Sequence, residues 1–549
     1  STRTKRQSPL SVPPMWLSAA RRVGSRLSRL SQPRLSTPCA RVMSGAASAF
    51  DHKAWTAEFL DAVKDVPKAT DPAQSADVLR SLVRTGLLSF TDMRDAPEKF
   101  FLAHRLLATV GLGGFGVRFT VQYNLFAGSI VGLGGPEQVE SLKSIQAKGQ
   151  LGCFLLTEMQ AGVLSGLIVE TTCDWDPTSQ EFVLHTPSDK AAKNWISQGY
   201  TAELGVVIAD LRVGGKSHGP HAFLMDLRDA GGALLPGIRV EDMGTKTVAN
   251  DLDNARVWFD QVRLPKSALL NKFAEIEADA YVQTTDERMR IEVIGQRLLT
   301  GRLAIAEAAI MCARTLHMRT ESYAENKVCN GLAGESKLAT MPQVRAVLDE
   351  SYAALDNMSA FAAGVEERLN TCLRAGTIPD ADLVDAIAVC KIRCIDVAVE
   401  RVHVLRQEVG SYALMHGTGF ELADMLLCCK FAEGDSRILQ QKLTRDRLKS
   451  LQKGGAAAVL GGLLSSERAE VLAAVQLGRK LQPAGRDLPK LAAAMDANWR
   501  EIYDLADQIA DRHLRTGLRS SFLEGTPVDR LLPAATYFDA DWKGKLESA

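Results

Sequence analysis

Residues 380–410, DADLVDAIAVCKIRCIDVAVERVHVLRQEVG, decide the fold class. Apolar side chains recur there at spacings of three and four over more than twenty-five residues, which is the period of an amphipathic helix and not of a strand. Two further stretches, 288–320 and 342–369, have the same length and character. Helices of this kind bury their apolar faces against one another, so the sequence predicts a C-terminal four-helix bundle.

The rest of the chain changes character twice. Residues 51–150 indicate helices, with Ser75 as a candidate N-cap. Short alternating runs such as EFVLHT and LGVVIADLRV fill 151–270, which favours an antiparallel sheet. We therefore expect an α+β fold that is mostly α: an N-terminal helical domain, a middle antiparallel β-domain, a four-helix bundle over 271–450 and a helical extension over 451–549.

The first fifty residues form a basic leader. They contain nine Lys and Arg residues and no acidic residue. This composition is typical of an organelle transit peptide and predicts delivery to the mitochondrial matrix. A disordered basic tail is the alternative interpretation, and RLSRLSQPRL is a weak match to a peroxisomal address, which keeps the peroxisome as the second location.

Bulk composition excludes several classes of protein. Lys plus Arg and Asp plus Glu both number 65, so charge gives no argument for nucleic acid. No apolar run reaches the length of a transmembrane helix. The ten cysteines form no CxxC pair and the nine histidines no HExxH, so no metal site is predicted. Gly111, Gly113 and Gly116 spell GxGxxG, but no strand precedes them, and close packing around small residues is the better interpretation.

The segment FAEGDS, residues 431–436, is the candidate for chemistry. Glu433 stands there between apolar or helix-forming flanks, LLCCKFA and RILQQKL. A carboxylate in such surroundings loses hydration, which raises its pKa and makes it a usable base near neutral pH. The alternative from these residues alone is a loop whose glutamate faces water.

Several motifs together resemble the acyl-CoA dehydrogenase and acyl-CoA oxidase superfamily. They stand in the family's order and spacing between residues 110 and 445. The motifs are LFAGSIVGLGGPEQ (125–138), GCFLLTEMQAGVLSG (152–166), KNWISQG (193–199), FDQVRLPKSALL (259–270), QEVGSYAL (407–414) and FAEGDSRILQQ (431–441).

The resemblance implies that FAD is the cofactor. Thr157 would hydrogen-bond the flavin, Trp195 would pack beside its ring, and Ser197 would face the N5 edge. These roles suit a flavin that accepts a hydride at N5 in a site that excludes water.

At the other end of FAD, the resemblance assigns Gln407 and Gly410 to a glycine turn that holds the ADP part against a neighbouring subunit. Ser411 and Ala413 stand where the family usually has glycine. Arg319 resembles the arginine that reaches the pyrophosphate, and a guanidinium suits that group. The resemblance also implies a homodimer or homotetramer.

In the resemblance, Glu433 matches the family's catalytic base. Gly434 and Asp435 follow it, and Asp435 is predicted to bind the cofactor. The implied reaction removes the α-proton of an acyl-CoA thioester and a hydride from the β-carbon, leaving a trans-2-enoyl-CoA. Asp435 in place of the dehydrogenases' usual threonine, the block ETTCDWDPTSQEFVLHTP and the helical extension favour an oxidase, which passes electrons to O2. A mitochondrial dehydrogenase that uses electron-transfer flavoprotein is the first alternative, and a non-catalytic docking subunit is the second.

Overall fold

A computed structural model describes residues 52–111, 113–162, 168–332, 334–485 and 487–523. The basic leader, predicted to be a transit peptide, lies outside these residues. The described chain divides into two compact units, one formed by 52–443 with 509–523 and the other by 444–508. The bounds of the predicted domains stay predictions.

The larger unit begins with seven helices around an aromatic core. Phe59, Phe100 and Phe119 are fully buried in it, and the Phe119 ring stacks on Phe100 and contacts Phe59 edge-on. A π-helical turn over 121–127 joins the fifth helix to the sixth. The helices are α1 (His52–Ala62), α2 (Pro72–Thr85), α3 (Asp92–Asp95), α4 (Pro97–Gly111), α5 (Gly114–Thr120), α6 (Gly128–Leu133) and α7 (Pro136–Lys148).

The predicted N-cap at Ser75 is wrong. Asp71 caps α2, because its carboxylate accepts hydrogen bonds from the backbone N–H groups of Ala73 and Gln74. Ser75 is buried inside the helix, where its hydroxyl accepts a hydrogen bond of 3.2 Å from Arg118 Nε. An aspartate just before Pro72 is the stronger start signal, since proline is favoured in the first helical turn.

Strands follow from residue 152. One sheet has the order β1-β5-β2-β3-β9 with β6 also paired to β5, a second has the order β4-β8-β7, and β10 and β11 form a hairpin. The strands are β1 (Gly152–Leu155), β2 (Thr172–Asp176), β3 (Glu181–His185), β4 (Lys193–Ser197), β5 (Leu204–Val213), β6 (Lys216–Asp226), β7 (Ile238–Asp242), β8 (Asn254–Phe259), β9 (Val262–Pro265), β10 (Ala274–Glu277) and β11 (Ala280–Gln283).

Most strand pairs are antiparallel, as predicted, but β5 pairs parallel with both β1 and β2. Alternation of polar and apolar residues reports which face of a strand is buried, and it does not report the direction of the neighbouring strand. Strand β5 is buried along most of its length, and such a central strand is where parallel neighbours are tolerated.

Long helices then complete the unit. Helices α8 (Glu287–Asn326), α9 (Pro342–Ala375) and α10 (Ala381–Glu408) pack on one another, with the hairpin of β12 (Val328–Gly331) and β13 (Gly334–Lys337) between the first two. After α11 (Ala423–Cys428), the start of α12 (Ser436–Leu463) joins α10 through an ion pair between Lys442 and Asp385. The predicted α+β fold with a mostly α composition is confirmed.

The smaller unit, 444–508, is helical. It contains most of α12, which is kinked at Gly455, then α13 (Arg468–Leu481), α14 (Leu488–Ala497) and the start of α15 (Trp499–Leu523). Arg447 forms ion pairs of 2.5 Å with Glu467 and with the buried Glu470. These contacts hold α12 to α13 within the unit.

Three further sequence predictions concern the described residues. Gly111 ends α4 and Gly116 lies within α5, while a β-carbon at the neighbouring Gly114 would come within 2.5 Å of Leu252, so the glycine-rich stretch serves packing. The nine described cysteines are all free. None of the described helices combines the length and the apolarity that crossing a bilayer requires.

Candidate active site

Glu433 lies in the turn between α11 and α12 with its carboxyl group against helix α8. The backbone there is left-handed, with φ of +57° at Glu433 and +98° at Gly434. A β-carbon at Gly301 would come within 2.5 Å of Glu433 Cδ and Oε2. Oε2 is buried and has no hydrogen-bond partner among the described residues. This oxygen is therefore shielded from solvent, and no donor of the described residues occupies its lone pairs.

The surroundings change the acidity of this carboxyl group. Burial raises the pKa of Glu433 to about 7, against the smaller opposing effects of the Arg302 and Lys391 charges. A base whose pKa lies near the working pH is the most effective for general base catalysis. Arg302 Nε also donates a hydrogen bond of 2.9 Å to the backbone carbonyl of Glu433, which fixes the turn to α8.

Lys391, in the middle of α10, holds the same turn from the other side. Its fully buried Nζ donates hydrogen bonds to the carbonyl oxygens of Lys430 (2.7 Å) and Gly434 (2.8 Å) and to Ser436 Oγ (3.1 Å). Burial lowers the pKa of Lys391 to about 8. Sequence reasoning missed this residue, although a lysine inside the apolar stripe of 380–410 was the available signal.

Asp435, predicted to bind the cofactor, lies at the start of α12. Its carboxylate accepts hydrogen bonds from the backbone N–H and the guanidinium of Arg437, the latter at 2.8 and 3.0 Å. These bonds cap the helix, and negative charge is favourable at a helix N-terminus.

The predicted flavin contacts in the β-domain lie close together. The backbone N–H of Asn194 donates to the carbonyl of Thr157 at 2.8 Å, so Thr157 and Trp195 lie on adjacent chain segments. Both side chains are exposed, and Trp195 is 57% exposed with φ of +57°. Ser197 Oγ accepts a hydrogen bond of 3.1 Å from Asn254 Nδ2.

A buried ion pair between Lys193 and Glu158 connects these segments. Lys193 Nζ and Glu158 Oε1 lie 2.9 Å apart, and both side chains are fully buried. Glu158 also accepts hydrogen bonds from the backbone N–H groups of Glu170 and Thr171, and Lys193 donates to the carbonyl of Ile208. Burial lowers the pKa of Lys193 to about 8. Sequence reasoning missed this pair, because nothing local to either residue indicates that the other is its partner.

Arg319 meets the turn that follows α10. Its Nη1 donates a hydrogen bond of 3.3 Å to the carbonyl of Thr418, and a β-carbon at Gly419 would come within 2.6 Å of the same atom. One turn further along α8, the rings of Tyr323 and Tyr412 stack with centroids 4.0 Å apart. These contacts bring Arg319 to the segment predicted to face the ADP part of FAD.

Gln407 and Gly410 lie at the end of α10, and both are exposed. Gly410 has φ of +60°, with no atom near the position of a β-carbon. Ser411, one of the two residues that replace glycine, is exposed, and Ala413, the other, is buried. The turn keeps an open surface despite the two lost glycines.

The loop before β8 lies near both halves of the candidate site. Lys246 Nζ donates a hydrogen bond of 2.8 Å to the carbonyl of Leu252, two residues before Asn254, which binds Ser197. Burial raises the pKa of the Cys428 thiol, and the nearby charge of Lys246 opposes that rise. The β-domain loop that positions Ser197 therefore also approaches the chain five residues before Glu433.

The residues present fit a flavin. An exposed indole and an exposed threonine hydroxyl on adjacent chain segments offer an apolar face and a polar atom to a flat ring, and a large side chain left exposed on strained backbone is typical of a binding site. Among the described residues, no group of histidine, cysteine and acidic side chains could hold a metal ion.

Comparison with curated proteins and with solved structures finds similarity to acyl-CoA oxidases. No family model matches the chain. Acyl-coenzyme A oxidase 3 of Arabidopsis thaliana, a peroxisomal protein, is 32% identical over 240 residues, which are 42% of this chain and 35% of the relative. Acyl-coenzyme A oxidase 3 of Yarrowia lipolytica is 26% identical over 455 residues, covering 78% of this chain and 63% of the relative.

Among solved structures, acyl-CoA oxidase 1 of Caenorhabditis elegans in complex with FAD and ATP superposes with a TM-score of 0.66. The two chains are 21% identical, with 86% of this chain and 76% of the other covered. The fold is that of the acyl-CoA oxidases. The predicted resemblance to the acyl-CoA dehydrogenase and oxidase superfamily is confirmed, and the similarity is closer to the oxidases. The chain spans about a third of the length of several of its curated relatives.

Proposed function

We propose that this protein is an FAD-dependent acyl-CoA oxidase that converts acyl-CoA thioesters to trans-2-enoyl-CoA. One observation carries the proposal: the Glu433 carboxyl group, in the motif that resembles the family's base motif, is held against Gly301 with an Oε2 unpaired among the described residues and a pKa of about 7. The similarity to oxidases supports it.

Glu433 acts as the general base in this proposal. Near neutral pH a large share of the carboxyl groups is ionised, and Oε2 accepts the α-proton of the thioester. Burial then favours the neutral, protonated form, so the same environment that raises the pKa also drives proton transfer. Arg302 and Lys391 fix the turn so that the carboxylate does not need to reorient.

The flavin, when bound, supplies the acceptor for the hydride that leaves the β-carbon. Thr157, Trp195 and Ser197 would hold its ring. Arg319, Gln407 and Gly410 would hold its pyrophosphate and ADP part. Trp195 and the apolar groups around the turn would exclude water from the reacting atoms.

O2 as electron acceptor, acyl-CoA as substrate and a homodimer or homotetramer as the assembly are parts of the same proposal. Several relatives are named as peroxisomal proteins, which supports the peroxisome as the location of this one. The prediction of the mitochondrial matrix receives no support from these relatives.

Spectroscopy tests the proposal. The purified protein should be yellow, with the visible absorbance of a bound flavin. Acyl-CoA added without O2 should bleach that absorbance, and admitted air should restore it with formation of hydrogen peroxide. Glu433→Gln should retain the flavin and lose the bleaching, whereas Glu367→Gln, an exposed acid on α9, should behave as the parent protein.

Each alternative gives a different result in the same experiment. A colourless protein that does not take up added FAD would favour the docking subunit. Bleaching without peroxide, with electrons passed to electron-transfer flavoprotein, would favour the dehydrogenase. Normal bleaching in Glu433→Gln would exclude Glu433 as the base.

A further inference from the structure

Arg118, on helix α5, is fully buried, and its Nε, Nη1 and Nη2 atoms all donate hydrogen bonds. Nη2 lies 2.9 Å from Asp253 Oδ1, so the charge is paired within the protein. The five further acceptors, between 2.9 and 3.3 Å away, are Pro72 O, Ser75 Oγ, Gln198 Oε1, Thr201 Oγ1 and Asp251 O. Arg118 therefore ties the first turn of α2 to the β-domain.

One route from Arg118 to the predicted flavin contacts runs through Asp253. This buried carboxylate also accepts two backbone hydrogen bonds, of 2.7 and 3.2 Å, from the turn after β4. Asn254, the next residue, begins β8, and its Nδ2 donates to Ser197 Oγ at 3.1 Å. Because that oxygen already accepts a hydrogen bond, the Ser197 hydroxyl hydrogen is left to donate to another group. The pairing of Arg118 with Asp253 thus fixes the residue that orients Ser197.

A second route runs through Gln198, which directly follows Ser197. Gln198 is fully buried and has a left-handed backbone, with φ of +60°. Its Oε1 accepts from Arg118 Nη1 at 3.3 Å, and its Nε2 donates to Gln122 Oε1 at 3.1 Å and to the Gly152 carbonyl at 2.7 Å. A residue other than glycine keeps such a conformation only where its surroundings hold it. Arg118 and Gln122, four residues apart, hold this amide together.

Ser197 is therefore fixed from two sides by groups that Arg118 holds. Asn254 binds its hydroxyl from β8, and Gln198 anchors the backbone that follows it. Trp195, two residues before Ser197, also has a left-handed backbone, with φ of +57°. Buried polar networks whose members are all hydrogen-bonded make the local structure rigid. The position of the predicted flavin contacts on β4 thus depends on Arg118.

We propose that Arg118 is a positioning residue for the flavin, which sets the place at which the segment Trp195–Ser197 meets the ring. This inference rests on the proposed function and adds a residue to that same site. Because its side chain is fully buried by protein, Arg118 acts through its neighbours and not by contact with the ring. Only the planar fork of a guanidinium serves Asp253 and Gln198 together, since lysine offers a single point charge.

Arg118→Lys tests the proposal, because it keeps a positive charge beside Asp253 and removes the fork. Fluorescence titration of the apoprotein should show a dissociation constant for FAD raised by about tenfold, since the ring contacts are displaced. The rate of bleaching by acyl-CoA at saturating FAD should fall by about tenfold to a hundredfold, as expected for a misplacement of up to 1 Å. The visible absorbance band of the bound flavin should change in Arg118→Lys and in Ser197→Ala alike.

Arg105→Lys is the matched control. Arg105 is also a buried arginine of the N-terminal helices, and its Nη1 lies 2.6 Å from Glu307 Oε2 and from Glu366 Oε2. The control should lower the melting temperature as Arg118→Lys does and leave FAD affinity, the visible spectrum and the bleaching rate unchanged. Equal losses of FAD affinity in both variants would show that lowered stability alone is the cause and would overturn the inference.

Two further variants test whether Arg118 acts through Ser197. Asn254→Ala breaks the first route at its last hydrogen bond without burying a charge, so it should change the visible spectrum in the same direction as Arg118→Lys. In a double-mutant cycle, Arg118→Lys should lose most of its effect on the bleaching rate when Ser197→Ala is already present, because coupled residues are not additive. Additive effects would overturn the inference.

Failure of this inference is distinguishable from failure of the proposed function. Unchanged FAD affinity, spectrum and bleaching rate in a folded Arg118→Lys would overturn the inference alone. If Arg118→Lys does not fold, an unchanged spectrum in Asn254→Ala would overturn it. The FAD titration and the spectrum need no turnover, so a flavin that acyl-CoA does not bleach would contradict only the proposed function. A parent protein that binds no FAD would contradict both.

Discussion

The carboxyl group of Glu433 lies directly over Gly301 of helix α8, so close that a single β-carbon at 301 would come within 2.5 Å of Cδ and Oε2. The two residues are 132 positions apart in the chain. Glycine inside a helix lowers stability by about 1 kcal/mol relative to alanine. Here the missing side chain is what lets the base occupy its position.

Gly301→Ala should separate stability from catalysis. The carboxyl group ends a flexible side chain and can move away from the added methyl group. We therefore expect the fold and the flavin to be retained and the free energy of unfolding to change by less than ~1 kcal/mol. The displaced base should lower the rate of flavin bleaching by about a hundredfold, since a misplacement of 1 Å can cost that much. Bleaching kinetics and flavin content measure the two effects. Gly295→Ala, also on α8 and with open space at the β-carbon position, is the control, and an equal loss of rate in both variants would contradict the prediction.

The activity should depend on pH through two groups. Glu433 must be ionised to accept a proton, so kcat/KM should rise with pH through about 7, the raised pKa of this acid. Lys391 must keep its proton to donate to the turn, so activity should fall as pH rises through about 8. Lys391→Met should remove the falling limb and lower turnover while keeping the flavin. A falling limb that persists in this variant would assign it to another group.

The free energy of unfolding of Glu433→Gln, compared with that of the parent protein, should change over a pH range that follows from the same pKa shift. Because the folded-state pKa is above the ordinary value of 4.5, the parent protein loses stability as pH rises from that value through about 7. Gln does not ionise, so the variant should be more stable at pH ~8 by ~1–3 kcal/mol and nearly equal at pH ~4. Denaturant unfolding at both pH values measures the difference. A variant that is less stable at the higher pH would show that the carboxylate is favourably paired.

Trp195→Ala should weaken flavin binding with little effect on the fold. The indole is 57% exposed in the protein chain, so its removal takes little contact from the core. Its proposed stacking on the flavin would be lost, and the FAD dissociation constant should rise by about tenfold or more. Fluorescence titration of the apoprotein measures this. Tyr200→Ala, another exposed aromatic of the β-domain, should leave the affinity unchanged.

Lys193→Met should destabilise the protein strongly. It leaves Glu158 buried without its partner, and breaking a buried pair in this way typically costs ~3–5 kcal/mol. The double variant Glu158→Gln, Lys193→Met should recover part of that loss, because no uncompensated charge remains. Denaturant unfolding of the single and double variants measures their free energies of unfolding. A double variant less stable than the single one would indicate that Glu158 acts through its backbone contacts alone.

Local pattern was enough to predict the helices, the strand region and the mostly α composition. Helical spacing over 380–410 and alternation in runs such as LGVVIADLRV report burial faces directly. The parallel pairing of β5 could not be predicted, because strand direction is fixed by partners distant in the chain. The N-cap of α2 was misassigned from Ser75, although Asp71 before a proline carried the signal.

For the candidate site, the sequence by itself determined that Glu433 has apolar flanks and stands in motifs of the acyl-CoA dehydrogenase and oxidase superfamily. Only the tertiary structure decided that Gly301 makes room for its carboxyl group and that Lys391 clamps its turn. The tertiary structure also decided that Lys193 and Glu158 are partners. The physical reason is that pairing, desolvation and close approach depend on the distance between elements. Helix and strand periods carry no record of that distance.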